Sequence, residues 1–281
     1  MAEREANIKN TNGKNWFERY KPIGFIGFGN MGQAIAKGLI RSGYFQKGDF
    51  VVAVGSQPSA DRLKSEGWKV LSAREVVKNT NIVFIAVKPK DGEKVLKSLA
   101  VDLKGKVLIS VMAGIPLEKL NEWSPHSYNV RTMPNVNVEV GKGIWGVTFD
   151  EKTDETLRGN ILEILNLTGL ALEIPERLMN AITALAGSGP AFVAEILDAF
   201  AQAGVKLGFK YSEALKLALY TFGGTIDLIS EKNLHPVAMR DKVTSPAGTT
   251  IYGLAVMNEE GLKGKLVKVI ETAKLRADEL S

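Results

Sequence analysis

The sequence predicts an α/β protein in two parts, an amino-terminal domain of alternating strands and helices followed by an all-helical domain. Three observations carry this. From residue 21 onward, short apolar runs alternate with segments of helical period, the mark of βαβ units and a parallel sheet. A glycine-rich turn, Gly27-Phe28-Gly29-Asn30-Met31-Gly32, joins the first apolar run to the first helix. After Pro175 the strand pattern stops and long apolar helical segments replace it. The expected divisions are a tail over 1–20, an α/β domain over 21–175 and a helical domain over 176–281.

Taken in order, residues 22–27 form a short apolar strand, and 31–41 carry helical period that stops at Ser42-Gly43. Residues 50–54 read as the second strand, followed by a polar turn and a helix over 59–66. The run Ile-Val-Phe-Ile-Ala-Val over 82–87 is apolar throughout, as a strand buried on both faces must be. Helix over 91–99 and strand over 107–111 follow. Shorter strands are expected over 128–132, 143–149 and 171–173, around a helix over 154–167.

Residues 178–205 hold only Glu195 and Asp198 as charges, and apolar side chains run all round the helix. Such a helix must be covered on nearly every side. At roughly 1.5 Å per residue it would be about 40 Å long, too long for one small domain to cover, so a second subunit is the natural cover. Gly187-Ser188-Gly189-Pro190 and the two carboxylates argue against a membrane span. Helices over 212–230, 236–243 and 249–280 complete the chain.

Composition narrows the chemistry. The 281 residues are 45% hydrophobic and 24% charged, which suits a soluble globular protein of two domains. The net charge is +5, but the basic residues alternate with acids, so they read as solvated helix faces and not as a nucleic-acid surface. There is no cysteine, which excludes disulfides and thiolate chemistry. The two histidines, His126 and His235, have no ligand-like spacing, so no metal site is expected. The first twenty residues lack an apolar core segment, so no signal peptide is read and the cytoplasm is the expected compartment.

Gly27-x-Gly29-x-x-Gly32 follows an apolar strand and opens a helix, which is the context of a Rossmann-type dinucleotide fingerprint. The first glycine makes the tight turn, the second admits the phosphates, and the third lets helix and strand pack closely. Phe28, Asn30 and Met31 complete the loop, and the helix N-terminus offers its N–H groups to the pyrophosphate. The second strand ends in Val54-Gly55-Ser56-Gln57-Pro58-Ser59, with no acid before Asp61. An NAD site would place an acid there for the ribose hydroxyl. Ser56 and Gln57, with Ser59 and Arg62 nearby, suit a 2′-phosphate, so NADP is expected with NADPH preferred over NADH. Ala86-Val87-Lys88-Pro89, at the carboxyl end of a buried strand, is the third expected cofactor contact.

The segment Val243-Thr244-Ser245-Pro246-Ala247-Gly248-Thr249-Thr250 sits between two predicted helices. Its hydroxyls and backbone N–H groups suit a small carboxylate, although a Ser/Thr-rich turn of this kind is also what a simple helix cap looks like.

Together these segments resemble pyrroline-5-carboxylate reductase. The likeness rests on Ile26 to Gly32, Ala86-Val87-Lys88-Pro89, Ser110-Val111-Met112-Ala113-Gly114-Ile115, Arg131-Thr132-Met133-Pro134-Asn135, Ala186-Gly187-Ser188-Gly189-Pro190-Ala191 and Arg240 to Pro246, over roughly residues 22 to 260. Ala247 stands where that family usually has glycine, and Ala73-Arg74 stand where it often has an asparagine for the ribose.

The resemblance implies NADPH-dependent reduction of a cyclic imine carboxylate to L-proline by a homodimer or larger assembly, with no nucleic-acid or membrane partner. Ser245, Gly248, Thr249 and Thr250 would bind substrate, with Thr250 as the catalytic hydroxyl at the ring nitrogen. Asn135 receives no chemical role. The competing readings are another NADPH-dependent imine or hydroxyacid reductase, and a non-catalytic NADPH-binding regulator. A β-hydroxyacid dehydrogenase would want a lysine soon after the helix glycines, where this chain has Pro190-Ala191-Phe192-Val193-Ala194-Glu195.

Overall fold

The computed structural model describes residues 16–280. Its strands are β1 (Ile23–Ile26), β2 (Phe50–Ala53), β3 (Lys69–Val70), β4 (Ile82–Ile85), β5 (Val107–Ser110), β6 (Tyr128–Pro134), β7 (Gly143–Phe149) and β8 (Gly169–Glu173). They form one sheet in the order β3-β2-β1-β4-β5-β6-β7-β8. Every pairing is parallel except β6 with β7. That one reversal follows from length: the short segment between Pro134 and Gly143 cannot make the crossover a parallel partner needs. The strand order reverses between β2-β1 and β4-β5, which opens a crevice at the carboxyl ends of β1 and β4.

Alternate residues on each strand feed two cores. Phe25, Phe50, Phe84 and Ile109 face one side, where α1 (Asn30–Arg41) and α6 (Glu155–Asn166) supply Ile35, Leu39, Ile161 and Leu165. Ile26, Val51, Val83 and Leu108 face the other, against α3 (Ala73–Asn79), α4 (Pro89–Leu99) and α5 (Leu117–Trp123). Phe25 and Phe84 stack with ring centroids 4.9 Å apart, locking β1 to β4 beneath the crevice.

Three elements go beyond the sequence reading. β3, α3 and α5 were not expected, though Ser72-Ala73-Arg74-Glu75 carries a helix-start signal. Ser72 Oγ accepts the Glu75 N–H at 3.3 Å and Glu75 Oε2 accepts the Ser72 N–H at 2.9 Å, a reciprocal cap. The expected tail over 1–20 ends earlier than Tyr20. Trp16–Tyr20 is a 3₁₀ turn and Phe17 packs into the core, 6% exposed; the rest of that tail lies outside the described residues.

The helical region holds α7 (Met179–Ile182), a π-helical turn over Thr183–Gly187, then α8 (Gly189–Lys206). The long helix expected over 178–205 is interrupted at and just before the Gly187-Ser188-Gly189-Pro190 block. α9 (Tyr211–Glu231), α10 (Pro236–Lys242), α11 (Thr249–Glu259) and α12 (Leu262–Glu279) follow, and Gly261 at φ 63° divides what the periodicity predicted as one helix.

By their contacts the residues divide into two compact units, one reaching Pro190 and including the chain end from Ala273, the other Ala191–Thr272. Within the second unit only Ala201, Ala214 and Ala218 are buried, while Phe200, Tyr220 and Tyr252 are exposed. Glu176–Lys206 is long and apolar enough to cross a membrane by length and composition.

Candidate active site

The nucleotide loop turns sharply because Gly27 has φ 84°, a conformation that side chains disfavour, and because a Cβ there would lie 2.5 Å from the Ala86 carbonyl oxygen. Gly32 is also fixed by packing, since its Cβ would stand 3.1 Å from the Gly27 carbonyl. Gly29 is different. A Cβ on it would meet no atom within 4 Å, so nothing in the protein itself calls for glycine there. Open space before a backbone that heads α1, with no acid in the helix's first turn and no side-chain cap, is what a bound pyrophosphate needs. Asn30 is exposed and Met31 half-buried. Phe28 is 2% exposed, its ring 4.7 Å from that of Trp68, so only its backbone faces the loop mouth.

The second-strand turn is brought to the same edge of the sheet. Ser56 is the N-cap residue of α2 (Gln57–Ser65) without capping it, and its Oγ donates to Ser59 Oγ at 2.9 Å. Gln57 Nε2 donates to Asp61 Oδ1 at 2.7 Å, and Arg62 pairs with Glu66 at 3.1 Å. Ala86 donates its N–H to the Ile26 carbonyl at 2.8 Å, which joins the exits of β1 and β4. Ala86 and Val87 are half-buried, Lys88 is the exposed N-cap residue of α4, and Pro89 opens that helix. Gly27 to Gly32, Ser56, Gln57 and Ala86 to Pro89 thus share the carboxyl edge of β1, β2 and β4. Arg74, next to the missing asparagine, is committed to Asp102 at 3.1 Å.

In the second unit, Thr244 to Gly248 form a turn between α10 and α11. Thr244 Oγ1 donates to the Arg240 carbonyl at 2.8 Å and the Gly248 N–H donates to the Ser245 carbonyl at 3.1 Å. Ala247 is held at φ 56°, a left-handed conformation for which glycine is the usual choice. A Cβ on Gly248 would collide with Ser245 Oγ, so this hydroxyl lies directly against the start of α11. The cap of α11 is Gly248 itself, with no side-chain hydrogen bond and no acid in the first turn. Neither Ser245 nor Thr250 is therefore a helix cap. Among the described residues their hydroxyls have no hydrogen-bond partner, while Thr249 is exposed and Thr250 half-buried. The first N–H groups of α11 lie beside these hydroxyls, an arrangement whose chemistry suits an anion.

The family model described as pyrroline-5-carboxylate reductase dimerisation matches residues 176–280. One described as NADP oxidoreductase, coenzyme F420-dependent, matches residues 22–114. Pyrroline-5-carboxylate reductase of Aquifex aeolicus is 40% identical over 260 residues, covering 92% of this chain and 97% of that protein. The crystal structure of Plasmodium falciparum pyrroline carboxylate reductase with NADP bound superposes with a TM-score of 0.84 at 27% identity, over 93% of this chain and 98% of that one. A pyrroline-5-carboxylate reductase from Coxiella burnetii gives 0.84 at 31% identity over 93% and 99%. With the dinucleotide crevice in place and a relative this similar along nearly its whole length, the chain belongs to the pyrroline-5-carboxylate reductase family.

Proposed function

We propose that the chain reduces 1-pyrroline-5-carboxylate to L-proline with NADPH, the last step of proline biosynthesis. The carrying observation is the start of α11, where Ser245 and Thr250 leave their hydroxyls free and Gly248 presents bare backbone. NADPH, when bound, supplies the hydride. Gly27, Gly29 and Gly32 with α1 would hold its pyrophosphate, Ser56 and Gln57 its 2′-phosphate, and Ala86 to Pro89 its ribose side. Ser245 and the Thr249 N–H bind the substrate carboxylate beside Gly248, whose own N–H is taken by the Ser245 carbonyl. Thr250 hydrogen-bonds the ring nitrogen, its Oγ1 accepting the N–H of the protonated imine and orienting the ring as the imine becomes an amine. A protonated imine is already electrophilic, so orientation does most of what is needed, and a histidine or tyrosine acid is not.

The domain assignment that goes with this reading places the cofactor on residues 21–175 and the substrate and dimer contacts on 176–281. The assembly is a homodimer or a larger oligomer of dimers, in the cytoplasm. Steady-state NADPH oxidation with pyrroline-5-carboxylate, set against NADP+ reduction with β-hydroxyacids, tests it. Turnover of the imine supports the reading; binding of NADPH without turnover, or faster turnover of a hydroxyacid, overturns it.

A further inference from the structure

Pro190 is the second residue of α8 and has no N–H, so the carbonyl of Ala186, four residues earlier, lacks its usual helical donor. Ala186 is buried at 7% exposure, where water does not substitute freely. Its hydrogen bond comes from elsewhere in the chain: Asn135 Nδ2 donates to the Ala186 carbonyl at 3.1 Å. The other half of the same amide is used as well, because Asn135 Oδ1 accepts the Ile144 N–H at 3.2 Å. Asn135 is 4% exposed and immediately follows β6.

The carbonyl it holds lies in the π-turn, where Ser188 donates its N–H to Thr183, five residues back, at 2.9 Å. Turns of this wider kind inside α-helices concentrate at functional sites. Two more contacts set this one on the sheet. A Cβ at Gly146 would stand 2.8 Å from Ile182, so β7 and α7 touch closely, and Arg131 on β6 pairs with Glu176 at 2.8 Å. The carboxyl end of β6 is on the same edge as those of β1, β4 and β5, the edge over which the nicotinamide half of a dinucleotide extends.

We infer that Asn135 is a positioning residue for hydride transfer: it replaces the N–H missing at Pro190 and so fixes the backbone of Ala186–Gly189 at the nicotinamide edge. The inference rests on the reductase reading for its kinetic consequence and on geometry alone for its structural one. Asn135→Asp keeps an acceptor for Ile144 and loses the donor for Ala186, while Asn135→Ala loses both.

The test uses the full chain with both variants. Without cofactor, amide exchange at Ser188 should quicken about tenfold while exchange in α1 stays unchanged, as local opening predicts. With NADPH and pyrroline-5-carboxylate, kcat should fall about tenfold to a hundredfold, the scale of a small misplacement of reacting groups. The primary deuterium isotope effect from 4-deuterated NADPH should rise, and the Kd for NADPH should stay within about threefold of wild type. On a Pro190→Ala background, where residue 190 regains an N–H, the penalty of Asn135→Ala should shrink at least about threefold, the signature of coupled sites.

Unchanged exchange at Ser188 in both variants overturns the inference. So does normal kcat per folded molecule with an unchanged isotope effect, or an additive double variant. Should Asn135→Ala not fold, Asn135→Asp carries the same outcomes. A wild-type protein without imine turnover would refute the reductase reading, and the exchange measurement would still decide whether Asn135 holds the turn.

Discussion

Gly27 and Ala86 meet backbone to backbone, so closely that a Cβ on Gly27 would stand 2.5 Å from the Ala86 carbonyl oxygen. Gly29, two residues on, faces open space. The two glycines should therefore fail differently when replaced by alanine. Gly27→Ala combines a left-handed backbone with a clash and should cost about 2 kcal/mol of stability or more, with NADPH binding lost alongside. Gly29→Ala should stay within about 1 kcal/mol of wild type, yet bind NADPH markedly more weakly. Thermal melting and NADPH fluorescence titration on the pair check this. Equal destabilisation of both variants would refute the division of roles.

Cofactor choice turns on the segment after β2. Ser56 Oγ and Ser59 Oγ are 2.9 Å apart and exposed or half-buried, with no acid in the first turn of α2. Wild type should show the higher kcat/KM with NADPH. Ser56→Asp should reverse or flatten that ratio, because a carboxylate there repels a 2′-phosphate and suits a ribose hydroxyl. A wild-type preference for NADH, measured under the same conditions, would sink the assignment.

How far these residues could be read beforehand depended on the range of the interaction. The glycine loop, the apolar strands and the hydroxyl-rich turn before α11 are local patterns, and each falls where periodicity and turn chemistry put it. β3 is two residues long and gives no period to read. The π-turn was invisible for a different reason: it depends on Asn135, which lies 51 residues before Ala186. Pro190 lacks an N–H, which the sequence alone shows, but what satisfies the freed carbonyl is set only by tertiary structure. Ala247 could be recognised as a departure from the family, though its φ of 56° could not be read from sequence.

Asp198 is one of the two carboxylates on the apolar helix, and it accepts the Tyr211 hydroxyl at 2.7 Å and the Gln202 amide at 2.6 Å. The tyrosine hydrogen bond, with the glutamine's second, holds its carboxyl below the usual range, and the same bond raises the Tyr211 phenol. The signs follow from which form is favoured. Asp198 contributes stability above the ordinary carboxylate range and loses it as pH falls through its lowered value. Tyr211 contributes below the ordinary phenol value and loses it as pH rises through its raised one. Tyr211→Phe should return the Asp198 titration, followed by carboxyl carbon NMR, toward the ordinary value. An unmoved titration would mean that the pair does not persist in solution.

Ser245 and Thr250 flank the start of α11, and the chemistry proposed for them differs enough to separate by kinetics. Thr250 is assigned to the ring nitrogen, where charge redistributes most between ground and transition state. Thr250→Ala should lower kcat by roughly ten- to a thousandfold, the scale of one lost orienting or proton-holding group, and leave NADPH affinity nearly unchanged. Ser245 is assigned to the carboxylate, which is bound equally before and during the reaction. Ser245→Ala should therefore raise KM and change kcat little. A capping role would instead cost both variants about 1 kcal/mol of stability with kcat preserved. The structure argues against it, because Gly248 occupies the cap position and takes no side-chain hydrogen bond. Melting temperatures and kinetics on the same two preparations decide the matter: a destabilised Thr250→Ala enzyme that turns over at the wild-type rate would leave the threonine with a structural role only.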